Sequence, residues 1–316
     1  MNTLPTLDDI RRAAERIRPY IHRTPVLTCE SLNHMAGAFL FFKCENFQKA
    51  GAFKMRGAAN AVFSLTDDAA ARGVATHSSG NHAAALSLAA TLRGIEAYIV
   101  MPNNSPSVKQ AAVKGYGGRI TFCEPTLQAR EDTLADVVDQ TGAIFIPPYN
   151  HSDIIAGQGT AALELIGDTP VLDAIIAPVG GGGLMSGTAI AAQSLSPGIM
   201  VYGAEPEMAD DAYRSLKTGV LQPSVNPKTV ADGLKTSLGE INFEIIKNHV
   251  DEIATVSEEA IVRAMRLIWE RMKIIVEPSC AVPLAALLER KLDVAGKKVG
   301  IILSGGNVDL DRLPWM

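Results

Sequence analysis

Several things are scarce in this 316-residue chain, and each scarcity closes off a class of protein. Cysteine occurs four times, at Cys29, Cys44, Cys123 and Cys280, with no CxxC pair and no metal-ligand spacing. That excludes a disulfide framework or a zinc ribbon and suits reduced thiols in a cytoplasmic protein. Aromatics make up only 5% of the chain, basic residues form no run, and the formal net charge is -5. No electrostatic footprint for nucleic acid or an anionic membrane is present. No apolar stretch approaches the ~20 residues that a membrane-spanning helix needs. The opening MNTLPTLDDI carries no basic segment ahead of an apolar one, so no secretory signal is expected. There is no internal repeat and no low-complexity tract. Nucleic acid and membrane are not expected partners, and the cytoplasm is the expected location.

What remains is ordinary for a globular protein of some size: 47% hydrophobic residues, 20% charged residues and 27 glycines. The length lies at the upper edge of one domain, so two lobes are expected. Thr6 reads as an N-cap, with Asp8 and Asp9 favourable in the first turn of a helix reaching about Arg18. From residue 73 the pattern alternates. Strands are predicted over 73–78, 96–101, 119–124 and 143–147, with helices over 81–92, 107–116 and 127–140. A second series has a helix over 155–166, a strand over 174–179, a helix over 183–195 and a strand over 200–204. After a polar loop at 222–227 come helices over 258–272 and 281–290 and a strand over 299–303. This is an α/β chain with open, mostly parallel sheets flanked by helices. Lobe crossings are expected at 66–72 and 147–153, giving one lobe from 1–65 plus 152–316 and another from 66–151. Ligands in such sheets sit beyond the carboxyl ends of strands.

Five motifs fall at such strand ends or at helix starts. In FQKAGAFKMRGA (47–58), Lys54 stands where a turn becomes a helix, because Met55, Ala58, Ala59, Val62 and Phe63 recur at helical spacing. The positive end of the helix dipole and the apolar Phe53 both favour a free amine, the form that Schiff-base chemistry uses. The plain alternative is a snorkelling surface lysine. VGGGGLMSG (179–187) joins an apolar strand to a helix. Consecutive glycines are entropically expensive, and they make sense where N–H groups converge on an anion. No GxGxxG registers and no Walker lysine follows Gly187, so a compact phosphate fits better than a dinucleotide; a flexible turn is the alternative. SSGNH (78–82) offers hydroxyls, an amide and helix N–H groups to a carboxylate, or else simple capping by Ser79 or Asn81. Ser304-Gly305-Gly306-Asn307 puts a hydroxyl and two glycines at a sheet edge where a flat ring can approach. Glu205 and Asp211, with the Ala209 carbonyl between, present hard oxygen ligands suited to Mg²⁺, Ca²⁺ or Mn²⁺; a solvated acidic loop explains the spacing equally well. A lysine for an aldehyde, a nest for a phosphate and a serine for a ring edge together ask for pyridoxal phosphate.

Taken in order, these motifs with AGQGT (156–160), VADGLKTSLG (230–239), WERMKIIVEPS (269–279) and LSGGNVDL (303–310) resemble fold type II pyridoxal-phosphate enzymes. Within that class the chain is similar to the serine racemase and serine/threonine dehydratase family. The resemblance implies the two-lobed architecture of the tryptophan synthase β type, with a large cofactor-binding domain and a small mobile domain that closes on substrate. It implies that Lys54 condenses with the cofactor and moves the α-proton, that Phe53 packs beside the ring and that Asn81 meets its 3-hydroxyl. Gly180, Gly181, Gly182, Gly183 and Leu184 would hold the phosphate, and Ser304 the pyridine nitrogen. Ser78, Ser79, Asn81 and His82 would bind the substrate carboxylate, and Glu205, Ala209 and Asp211 a divalent cation. The implied reaction is β-elimination from a β-hydroxy amino acid (3-hydroxyaspartate, L-serine or L-threonine) by a homodimer. The alternative is a serine or aspartate racemase using Lys54 and Ser79 as two bases, and a non-catalytic cofactor binder is a third reading. Two departures from mammalian serine racemase are visible: Pro147-Pro148-Tyr149-Asn150 is closer to bacterial threonine dehydratases, and Ala50 stands in place of a threonine near the nucleotide-binding surface. A second substrate carboxylate would need a further donor, for which Arg130, His151 and Lys235 are candidates.

Overall fold

Apolar runs rather than alternation make most of the strands. The computed structural model describes residues 4–316. Its strands are β1 (Val26–Leu27), β2 (Phe39–Cys44), β3 (Val74–His77), β4 (Ala97–Pro102), β5 (Arg119–Cys123), β6 (Ile144–Phe145), β7 (Ala174–Pro178), β8 (Met200–Pro206), β9 (Glu252–Val256) and β10 (Lys298–Leu303). Every residue of β7 is buried, and so are Val299 to Leu303 of β10. Strands buried on both faces belong to parallel sheets covered by helices. The larger sheet runs β1-β2-β10-β7-β8-β9, parallel except for the β1–β2 pair. The smaller runs β5-β4-β3-β6 and is parallel throughout. All of the smaller sheet comes from strands between Val74 and Phe145.

The helices Glu258–Met272 and Pro278–Leu288 contribute the core on one face of the larger sheet. Ser152–Asp168, Gly183–Leu195 and Glu240–His249 cover the other. Helix Leu7–Ile17 starts as expected: Thr6 and Asp9 form a reciprocal capping box. The final expected helix begins earlier, at Pro278 instead of residue 281, and ends at Leu288. Proline at the first helical position has its φ pre-set and needs no donor there. The expected strand over 143–147 shrinks to β6. Strands β1, β2 and β9 and the helices Glu30–Ala36, Asp211–Thr218 and Glu240–His249 escaped the sequence reading. In β2, the run FLFFKC shows no period-2 signal because apolar residues occupy both faces, Phe39 and Phe41 on one and Leu40 and Phe42 on the other.

Helix Lys54–Ser64 is fixed in two ways. It crosses Ser152–Asp168 so closely that a Cβ on Gly157 would lie 2.6 Å from the Gly57 Cα. Arg56 is fully buried and pairs with Glu45 at 2.7 Å and Glu164 at 2.8 Å, and buried Lys43 reaches Glu164 at 2.6 Å. The four charges cancel, and removing one partner of such a set costs about 3–5 kcal/mol. The start of that helix is thereby tied to two elements of the larger sheet's layer. All four cysteines are free thiols, and no helix of the described residues is long and apolar enough to cross a membrane.

Candidate active site

Lys54 opens its helix behind Phe53. The turn before it is stitched to the loop after β10: the Phe53 N–H donates to the Ser304 carbonyl at 2.9 Å, and Gly306 N–H to the Gly51 carbonyl at 2.9 Å. Asn307 Nδ2 donates to the Ala50 carbonyl at 2.7 Å. Ala50 takes a left-handed conformation (φ 58°), which costs an L-residue about 1 kcal/mol and is held by these bonds. Lys54 and buried Ser304 are therefore neighbours at the carboxyl end of the larger sheet.

The Lys54 Nζ donates to the Pro148 carbonyl at 2.7 Å, with the Phe53 ring centroid 5.2 Å and the Tyr149 centroid 6.0 Å away. Burial pushes the ammonium down to about 8, against the opposing charge of Glu277. The rings act against burial, since an aromatic face attracts a cation. Desolvation is the main force that frees this amine.

Tyr149 leads from Lys54 to the glycine turn. Its ring fills the space beside Gly181, where a Cβ would lie 2.3 Å from it, and its backbone backs Gly183. Residues 180–184 are all buried, and Gly182 has φ +90°. The N–H groups of Gly180, Gly181, Gly182, Gly183 and Leu184 donate to no group among the described residues. Unpaired buried amides are costly, and five of them at a helix N-terminus form an anion cradle.

A second set of bare amides follows β3. Helix Asn81–Arg93 starts at Gly80 with no side-chain cap, so neither Ser79 nor Asn81 caps it. Ser78 Oγ accepts weakly from Gly80 N–H at 3.4 Å. The N–H groups of Ser79, Asn81 and His82 have no partner among the described residues. Asn81 donates through Nδ2 to both Glu277 oxygens, at 2.9 and 3.1 Å, and its Oδ1 accepts from Asn307 Nδ2 at 2.9 Å. Burial raises the Glu277 carboxyl to about 7, with the charge of Asp232 adding to the rise. His82 is buried and bonds the Ile146 carbonyl through Nε2 at 3.1 Å, which makes Nε2 the protonated nitrogen. Burial and the Lys54 charge push it down to about 3. The imidazole is neutral, so only its backbone N–H is available to a carboxylate.

Residues 17–305 match the family described as pyridoxal-phosphate dependent enzyme. The chain belongs to that family. It is 55% identical over 312 residues to the beta-hydroxyaspartate dehydratase of Paracoccus denitrificans, covering 99% of each chain. It is 48% identical to the L-threo-3-hydroxyaspartate ammonia-lyase of Saccharomyces cerevisiae, covering 98% of this chain and 95% of that one. The crystal structure of serine racemase from Dictyostelium discoideum superposes with a TM-score of 0.93 at 53% identity, covering 97% and 99%. This pyridoxal-phosphate enzyme therefore has the fold that the motifs implied. Its site fits the cofactor: five free amides suit a phosphate, and a desolvated lysine beside Ser304 suits an aldehyde on a pyridine ring.

The acidic segment of this family member is no solvated loop. Glu205 lies in β8 and Asp211 opens the helix Asp211–Thr218, both fully buried, with buried Ala209 between. Glu205 accepts from the Ala212 and Tyr213 N–H groups at 3.2 and 2.7 Å. Asp211 Oδ2 accepts from Leu238 N–H at 2.8 Å, while Oδ1 is buried without a partner. Burial and the Asp211 charge hold Glu205 well above the usual carboxylate range. An orphaned oxygen beside a second carboxylate fits a hard cation. Of the three further donors, His151 caps helix Ser152–Asp168 through Nδ1 and Lys235 is exposed. Arg130 is half-buried and its Nε has no partner; burial, and after it the Arg130 charge, depress His77 at the end of β3.

Glu277 and Tyr149 belong to the site although no role was assigned to them from sequence. A lone carboxylate closing the apolar run Ile274-Ile275-Val276 is the one signal that pointed to Glu277. Tyr149 had none, because its role is to fill the space that glycines at 181 and 183 leave.

Proposed function

We propose that this chain is a dehydratase (ammonia-lyase) acting on β-hydroxy amino acids, with the dicarboxylic 3-hydroxyaspartate as preferred substrate and serine or threonine as lesser ones. The observation that carries the preference is Arg130: a half-buried cation with an unpartnered Nε, near enough to His77 at the end of β3 for its charge to act there. A half-buried donor left without a partner calls for an acceptor, and an anion is the strongest one. Two relatives named for hydroxyaspartate support the same reading.

When bound, pyridoxal phosphate supplies the sink for the electron pair left on the α-carbon. The residues of the chain do the rest. Amides 180–184 would hold the phosphate, Ser304 would serve the ring nitrogen, and Phe53 and Asn81 would position the ring and its hydroxyl. The amides and hydroxyls of 78–82 hold the substrate carboxylate. Lys54, poised near neutrality, takes the α-proton. Loss of the β-hydroxyl leaves an imino acid, which water converts to a 2-oxo acid and ammonia. Glu205, the Ala209 carbonyl and Asp211 would hold a Mg²⁺-like cation that neutralises their buried charge.

Residues 66–151 act as the closing domain against 1–65 and 152–316. The bonds from Asn81 to Glu277 and Asn307, and the Lys109–Asp232 ion pair, are among its contacts with the larger lobe. A homodimer in the cytoplasm completes the reading. Racemisation accompanies elimination because the Ser79 hydroxyl is half-buried, has no partner among the described residues and can return a proton to the face opposite Lys54.

A panel of L-serine, L-threonine and the 3-hydroxyaspartate isomers, read as 2-oxo acid and ammonia, tests the assignment. Arg130→Ala should raise KM for 3-hydroxyaspartate about tenfold or more and leave serine unchanged. Equal losses on both substrates would defeat the dicarboxylate preference. Ser79→Ala should lose inversion and keep elimination; unchanged inversion would rule out the two-base route.

A further inference from the structure

Asn242 stands in the first turn of helix Glu240–His249, fully buried behind the glycine nest. Its Nδ2 donates to the Gly181 carbonyl at 2.7 Å and more weakly to the Tyr149 carbonyl at 3.4 Å. The Gly239 N–H donates to the same Gly181 carbonyl at 3.2 Å. The other amide atom of Asn242, Oδ1, is buried with no partner. A side chain that leaves its acceptor unpaired is kept in place for its donor.

What that donor does follows from peptide geometry. No peptide bond among the described residues is cis, and a trans peptide points its C=O and N–H in opposite directions. Two donors hold the Gly181 carbonyl on the side of the helix. The next N–H, that of Gly182, is therefore turned the other way, in among the free amides of the nest. Torsional preference does not enforce this orientation, because glycine populates left- and right-handed regions with similar ease and Gly182 sits at φ +90°. A run of four glycines can flip its peptides unless something outside the run holds one. Asn242 is packed to do so: a Cβ on Gly182 would lie 2.7 Å from the Asn242 Cβ.

We propose that Asn242 is a positioning residue for the cofactor phosphate: by clamping the Gly181 carbonyl it presents the Gly182 N–H to the phosphate without touching it. The proposal rests on reading 180–184 as the phosphate cradle. It is tested on full-length apoprotein titrated with pyridoxal phosphate and with pyridoxal, which lacks the phosphate. The readout is the ratio of the two dissociation constants. Asn242→Leu keeps the side-chain volume and removes the donor. It should cut the preference for the phosphorylated ligand about tenfold, the scale of one hydrogen bond, and leave pyridoxal binding unchanged. A preserved ratio overturns the proposal, and so does an equal weakening of both ligands, the mark of a merely structural role. Wild-type protein that binds the two ligands equally overturns the cradle reading itself, and the proposal with it. A measurement without any variant stands beside these. In ¹⁵N-glycine-labelled wild-type apoprotein, inorganic phosphate should shift the Gly182 amide resonance. Shifts at Gly180, Gly181 and Gly183 with Gly182 unmoved would overturn the proposal.

Discussion

The glycine turn after β7 and the Ser–Ser–Gly–Asn–His turn after β3 both deliver bare amides at a helix start, and they differ in everything else. Residues 180–184 are buried, backed by Tyr149, Leu238 and Asn242, and carry no polar side chain. Residues 78–81 are half-buried and carry two hydroxyls and an amide beside their backbone. A Cβ at Gly181 would collide with Tyr149 at 2.3 Å, whereas a Cβ at Gly80 meets nothing within 4 Å. The first cradle belongs to the larger sheet's layer, the second to the smaller sheet and is joined across by Asn81 to Glu277. On the reading proposed above, the same arrangement of bare amides would serve once as a permanent seat for the cofactor phosphate and once as a site that a substrate enters and leaves. The difference lies in what packs behind the amides.

Removing the group between the cradles should have the largest effect. Lys54→Ala should lower turnover by at least about 10³-fold and abolish the borohydride-sensitive near-visible absorbance of the holoenzyme. Persistence of that band would end the assignment of Lys54. The next largest effect separates the cradles directly. Gly181→Ala must displace Tyr149, and overpacking of this kind costs about 1–3 kcal/mol. Tm should fall by several degrees and cofactor should be lost on dialysis. Gly80→Ala should leave Tm within about 1 °C and cofactor content at wild-type level; matched behaviour of the two variants would erase the distinction.

Chelation comes third. A chelator should lower Tm by a few degrees, Mg²⁺ should restore it, and Asp211→Asn should abolish the response. An unresponsive wild type would leave Glu205 and Asp211 as acceptors for backbone amides only. The smallest effect sharpens the second cradle through its partner. Glu277 titrates at about 7 in the fold, above its ordinary 4.5. The folded protein thus keeps a proton that the unfolded chain has released, and this contribution to stability is complete below about 4.5. It is lost as pH rises through about 7, up to roughly 3 kcal/mol. Glu277→Gln should therefore gain in Tm over wild type at pH 8 relative to pH 5. A pH-independent difference would show that Asn81 and its neighbours hold the ionised carboxylate without cost.

Much of the site was legible because it uses residue types that local structure does not otherwise want. Four glycines ahead of a helix and a lysine in its first turn are poor choices for stability alone. Of the strands that escaped, β1 is only two residues long and β2 is an apolar run without alternation. The bond between Asn81 and Glu277 spans 196 residues and leaves no periodic trace.

The order of βα units, the pyridoxal-phosphate chemistry and the lysine that serves it follow from the chain's own local patterns, since helix starts, strand ends and glycine conformations are decided within a few residues. Only the tertiary structure decided that the Lys54 ammonium is brought down to about 8, that His82 is uncharged, that Glu205 and Asp211 are both buried, and that Arg130 of the three candidates keeps a buried Nε without a partner. Each of these depends on desolvation and on partners brought from far along the sequence, and neither is encoded in any short stretch of it.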